Sequence, residues 1–169
     1  MVTNLLKLGF PFKPSSNSHH NGIETGISYI VKEERPHLSY KVFSELARKN
    51  NKGLIISRVH PHRVAKQYGI SSEILWLSTI DAKGSIEPTQ LSKLAFIINH
   101  YVKTNKGCPI LIDGLEYLIL QNGFENVLKF IYSIADYISI HKGILLLPLS
   151  PNTLSTSQVK MLERELEPY

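Results

Sequence analysis

The chain has 169 residues, 43% hydrophobic and 20% charged, the size and composition of one globular domain with a sizeable core. Its one cysteine, Cys108, excludes an internal disulfide framework and a multi-cysteine metal site. The net charge of +5 is unevenly spread, with 11 Lys/Arg against 4 Asp/Glu in residues 1–70 and 8 against 10 in residues 71–169, so the first half either meets an anionic partner or carries a solvated basic surface.

Residues 1–10 (MVTNLLKLGF) form a short apolar stretch with one lysine, and prolines follow it. No run of 18 apolar residues and no small-residue cleavage site is present, so neither a membrane span nor a signal peptide is expected, and the cytoplasm is the expected location. Pro, Ser, Asn and Gly dominate PFKPSSNSHHNGIETG, which reads as a flexible arm. The expected organisation is an N-terminal arm over 1–26 and one α/β domain over 27–169.

Strand and helix signals then alternate. Ile27–Val31 (ISYIV) reads as a buried strand. Pro36–Asn50 reads as a helix with an apolar stripe of Leu38, Val42, Leu46 and Ala47. Leu54–Val59 is a second strand, His62–Tyr68 a short helix stopped by Gly69, and Ile74–Ser78 a third strand in which Trp76 is expected in the core. The segment DAKGSIEP reads as a loop. A long helix runs from Pro88 to Thr104, with Leu91, Leu94, Ala95, Ile98, Tyr101 and Val102 on one face. Pro109–Asp113 (PILID) is a fourth strand. Helices at Leu115–Leu120 and from Phe124 to about His141 are separated by Asn122–Gly123, and Ile144–Leu149 is a fifth strand. Gln158–Glu167 reads as an amphipathic C-terminal helix.

Five continuous apolar strands alternating with helices predict a doubly wound, mostly parallel sheet in a three-layer α/β/α fold. Ligands of such sheets bind beyond the carboxyl ends of the strands. Those ends carry Lys32–Arg35, Arg58–His62, Ser78–Lys83, Asp113–Glu116 and Pro148–Pro151.

PILID looks like the strand-plus-acid element that holds magnesium in nucleotide hydrolases. Glu116, three residues after Asp113, offers a different reading, a capping box at the start of the next helix, and that reading is preferred. The partner motif of such hydrolases, G-x-x-x-x-G-K-[ST], is missing. After Val31 the chain reads KEERPHLSYK, without a glycine and with Glu33 and Glu34 where phosphate would sit. No triphosphate site and no cofactor is therefore expected. The run SRVHPHRVAKQYG places Arg58, His60, His62, Arg63 and Lys66 at a strand end. The two histidines lack a third ligand at a recognisable spacing, so no metal is expected. The run is either a positive rim for a phosphate backbone or acidic partner, or a solvated helix. Arg48, Lys49 and Lys52 are further candidates for phosphate contact. Cys108 reads as a buried structural thiol, and no nucleophile elbow is present.

The segments GISYIV, KGLIISRVHPHRVAKQYG, ILWLS, the helix led by Pro88, CPILIDGLEYLILQNGFENVLKFI, LLLPLSP and LEREL resemble the archaeal domain-of-unknown-function family 835. The resemblance covers about Gly26 to Glu167. That family is similar to the KaiC and RecA-like nucleotide hydrolases with the phosphate loop lost, which implies a RecA-like core with a degenerate phosphate loop and carries over no catalytic residues. Three functions follow as expectations. The first is a non-catalytic homodimer that binds an RNA–protein assembly such as the ribosome or a ribosomal subunit. The second is a protein–protein interaction or signal-output module. The third is an unusual ATP-binding protein.

Overall fold

The computed structural model describes residues 22–169. The apolar start and most of the arm expected over 1–26, His19 and His20 included, lie outside the described residues. Packing begins before Ile27: Ile23 is buried among Tyr29, Tyr40 and Val42, and the Glu24 N–H donates to the Tyr29 hydroxyl at 2.8 Å.

The five expected strands all form: β1 (Ile27–Lys32), β2 (Leu54–Ser57), β3 (Glu73–Leu77), β5 (Pro109–Asp113) and β6 (Ile144–Leu149). Two more bring the sheet to seven strands: β4 (Ser85–Ile86), inside the expected loop DAKGSIEP, and β7 (Glu167–Pro168), where the C-terminal helix was expected to continue. At two residues each they are too short to show an alternation. They are edge strands held by backbone bonds: Trp76 N–H to Gly84 O at 2.9 Å, Ser78 N–H to Ile86 O at 3.0 Å and Tyr169 N–H to Ile30 O at 3.0 Å. Pro168 is tolerated because it sits at an edge. The order is β4-β3-β2-β5-β6-β1-β7, and every pairing is parallel.

Alternation along the strands sends side chains to two helical layers. Tyr29, Ile55, Leu111 and Leu146 pack beneath α1 (His37–Asn50) and α2 (Pro61–Tyr68). Ile30, Leu54, Ile56, Ile110, Ile112, Leu145 and Leu147 pack against α3 (Leu91–Thr104), α4 (Leu115–Asn122), α5 (Phe124–His141) and α6 (Thr156–Leu162). The chain crosses from β1 to β4 on one face and returns from β4 to β7 on the other. This reversal follows from connections that keep one hand.

Helix details depart from the sequence expectation where tertiary packing decides. On α1 the buried face is Ser39, Tyr40, Val42, Phe43 and Leu46, and Leu38, expected in the stripe, is 43% exposed. On α3, Leu94, Ile98 and Val102 are buried as expected, but the helix begins at Leu91 rather than Pro88. The Gln90 N–H donates to Glu87 O at 3.0 Å, so Pro88 lies in a turn. Ser155 and Gln158 form a reciprocal capping box on α6. The helix ends at Leu162 so that the chain can turn back to the sheet edge.

Candidate functional site

Two neighbouring pairs of strands send their carboxyl ends to opposite helical layers. β2 leads to α2 and β5 to α4; β1 leads to α1 and β6 to α6. Such switch points open a crevice between the diverging connections. Asp113, the last residue of β5, lies at the first of them. Its carboxylate accepts from the Tyr40 hydroxyl at 2.8 Å and from the Ser57 hydroxyl at 3.4 Å. Tyr68 stacks on Tyr40 with ring centroids 3.9 Å apart and planes 4° apart. Burial raises the Asp113 carboxyl above its ordinary value; the Tyr40 hydrogen bond opposes the rise, and Glu116 and Glu33 add to it. Burial and the neighbouring Asp113 charge push the Tyr40 hydroxyl upward too, so Tyr40 stays protonated and is the donor.

The expected capping box of Asp113 and Glu116 does not form. The N-cap of α4 is Gly114, and no side chain bonds the helix start. Tyr40 and Ser57 draw Asp113 back into the sheet edge. Glu116 reaches instead to the second switch point, where it accepts from the Ser150 N–H at 3.1 Å. A carboxylate does cap α1. Glu33, just beyond β1, accepts from Leu38 N–H at 2.8 Å, from Ser39 N–H at 3.0 Å, and from the Ser39 hydroxyl. Neither the Glu33 cap nor the Tyr40–Asp113 bond follows a short-range spacing rule, which is why sequence reading missed both.

The basic candidates divide between the two edges of the sheet. Arg58 follows β2 at the carboxyl edge. Its N–H donates to Asp113 O at 3.1 Å, and its guanidinium carbon stands 4.8 Å from the centroid of the Tyr117 ring. His60 caps α2, its Nδ1 accepting from the His62 N–H at 3.2 Å. Arg63 and Lys66 follow on α2 and are exposed. Trp76 is half-buried, not enclosed in the core as expected. It closes the group, its Nε1–H donating to Arg58 O at 3.1 Å and its ring meeting His60 edge-on at 4.9 Å. Arg48, Lys49 and Lys52 lie at the other end of α1. There Arg48 and Lys52 line a cavity of about 490 Å³ at the amino edge, with Asn51, Gly53, Ser71 and Tyr101. Among the described residues, no group of three or more His, Cys, Asp or Glu is placed to hold a metal ion, and no helix is long and apolar enough to cross a membrane.

Fold and edge together define a three-layer α/β/α protein with a wholly parallel sheet and with Arg58, His60 and Trp76 grouped near Asp113 at its carboxyl edge. The chain belongs to the family described as "Protein of unknown function (DUF835)", whose model matches residues 32–166. No curated protein matches it. A solved structure described as "Structural study of Project ID PH0250 from Pyrococcus horikoshii OT3" is similar in fold, with a TM-score of 0.58 at 12% identity over 85% of this chain and 80% of that one.

Proposed function

We propose that this chain is a non-catalytic, homodimeric binding protein that associates with an RNA–protein assembly such as a ribosomal particle through its carboxyl edge. The observation that carries this reading is the segment from Ser57 to Tyr68. It holds Arg58, His60, His62, Arg63 and Lys66 without one Asp or Glu; Arg58 and His60 stand at the edge where ligands of parallel sheets bind, and the others follow along α2. Phosphate backbones bind such a rim through cation contacts and counterion release. On this reading the scaffold is RecA-like with a degenerate phosphate loop. In support, β1 and β5 are separated by β6 alone, so the turn after β1 and Asp113 face each other across roughly 10 Å. That turn holds no glycine. The α1 N-terminus, where a phosphate would take backbone N–H groups, already has the Glu33 carboxylate on Leu38 and Ser39. Titration calorimetry with Mg-ATP is expected to give no heat of binding. The dimer contact is assigned to the arm before Gly22 or to the helices around Tyr132, and sedimentation equilibrium of the chain with and without residues 1–21 separates these.

Co-sedimentation tests the partner. The protein is expected to travel with ribosomal particles at low salt and to leave them steeply as salt rises. If it stays at the top of a low-salt gradient, the proposal fails. A second reading, a protein–protein signalling module, is favoured by the exposed apolar side chains Phe96, Leu120 and Ile140, which are 71%, 79% and 69% exposed. It predicts recovery of one partner protein with no salt-sensitive RNA.

A further inference from the structure

We infer that the carboxyl edge holds a docking platform for one unpaired base of a single-stranded RNA, with Trp76 as its floor. This rests on the proposed association with RNA and names the part of the RNA that the edge would read. The indole is fixed in place. Its only donor is spent on Arg58 O at 3.1 Å, and the His60 ring stands against it at 4.9 Å with the planes 69° apart. His60 is itself fixed, because its Nδ1 receives the His62 N–H at the start of α2. A half-buried indole whose N–H is already bonded offers solvent only its carbon π-surface. Such a surface has nothing to gain from water and suits the face of a base.

One arginine, Arg58, adjoins this surface. Arg58 supplies both the carbonyl that anchors the indole and a guanidinium laid 4.8 Å from the Tyr117 ring centroid. A guanidinium stationed over an aromatic ring still has N–H groups to offer a phosphate. Arg63 follows one turn into α2, on the same basic segment. An aromatic floor beside Arg58 matches the two needs of single-stranded nucleic acid, stacking for the base and countercharge for the backbone. A duplex would not satisfy it, because its bases are already stacked on one another.

Trp76 is the chain's one tryptophan, so its emission reports this platform alone. The full chain is titrated with a mixed-sequence 12-nucleotide RNA at low salt. Trp76 fluorescence is followed in parallel with the anisotropy of the labelled RNA. Saturable quenching with the single strand and none with the matching duplex is the expected result. Trp76→Leu is expected to weaken single-strand binding by about tenfold, and Trp76→Phe, which keeps an aromatic floor, by less. The platform is overturned if the RNA binds without changing the emission, if the duplex quenches equally, or if Trp76→Leu binds as tightly as the parent. Should Trp76→Leu fail to fold, quenching in the parent chain decides. Ribosomal co-sedimentation separates the two ideas. Loss of quenching with co-sedimentation intact rejects the platform and leaves the association standing. Quenching without co-sedimentation keeps the platform and rejects the assembly, and the absence of both removes the two together.

Discussion

Asp113 joins three elements through one carboxylate, taking hydrogen bonds from Tyr40 on α1 and Ser57 on β2 while ending β5. Burial raises its proton affinity in the folded chain above the ordinary aspartate value of 3.8. As pH rises through the window between that value and the raised folded one, the unfolded chain loses its proton first. The contribution of Asp113 to stability therefore falls across this window and stays low at neutral pH. Asp113→Asn removes the fall while its amide oxygen still accepts from Tyr40. At pH 7 it is expected to unfold at the same or a higher urea concentration than the parent, with its advantage shrinking below pH 4. Asp113→Ala leaves the buried Tyr40 hydroxyl without its acceptor and is expected to cost about 1–3 kcal/mol. A large loss in the Asn variant at neutral pH would show that the negative charge itself is needed. Cys108 gives a simpler test. It is fully buried, and burial pushes its thiol up to about 12. Thiolate is the reactive form, so a disulfide reagent at pH 8 is expected to label Cys108 only as fast as the chain unfolds. Rapid labelling of folded protein would contradict the packing around it. The inertness of Cys108 was legible in the sequence from its place before a proline at a strand start. The role of Asp113 was not, because Tyr40 lies 73 residues away in the chain.

The passage from β5 into α4 turns on Gly114. Its φ of +155° is a conformation that side chains rarely adopt, and a Cβ there would come within 3.0 Å of Leu77 Cδ1 and 3.5 Å of the Arg58 N. Gly114→Ala is expected to cost about 1–3 kcal/mol in urea unfolding. The change would also press on the Arg58 backbone, which bonds Asp113 O across the strand pair. A loss below about 0.5 kcal/mol would mean that the connection relaxes at little cost. Elements of this kind show how far local pattern carries. The strands β1, β2, β5 and β6 were legible because burial on both faces forces unbroken apolar runs, and β3, half-buried along Ile74–Trp76, was legible from its apolar ILWL. The two-residue strands β4 and β7 carry no such run, since backbone pairing with β3 and β1 forms them. On α1, aromatic packing under Tyr68 placed Tyr40 inward and left Leu38 at the rim, a choice made by a contact 28 residues downstream.

At the scale of the whole molecule, the basic residues of the first half that the structure describes do not form one surface. The long axis of α1 separates Arg48, Lys49 and Lys52 at the amino edge from Arg58, His60 and Arg63 at the carboxyl edge. Total charge was readable from the sequence, but its division was not, because it depends on which way α1 and α2 run back across the sheet. The division makes the proposed association testable edge by edge. Each lysine or arginine that neutralises a phosphate contributes about one unit to the slope of log affinity against log salt. Arg58→Gln with Arg63→Gln is therefore expected to lower that slope by about two for a ribosomal particle or a single-stranded RNA. Arg48→Gln with Lys52→Gln, at the cavity on the far edge, is expected to leave it unchanged. The comparison holds net charge equal between the two double variants, so a general electrostatic attraction would move both slopes together. Equal slopes in the two variants would place the binding in long-range charge and not at the carboxyl edge. A larger change from Arg48 and Lys52 would move the interface to the amino edge and leave Trp76 without a part in it.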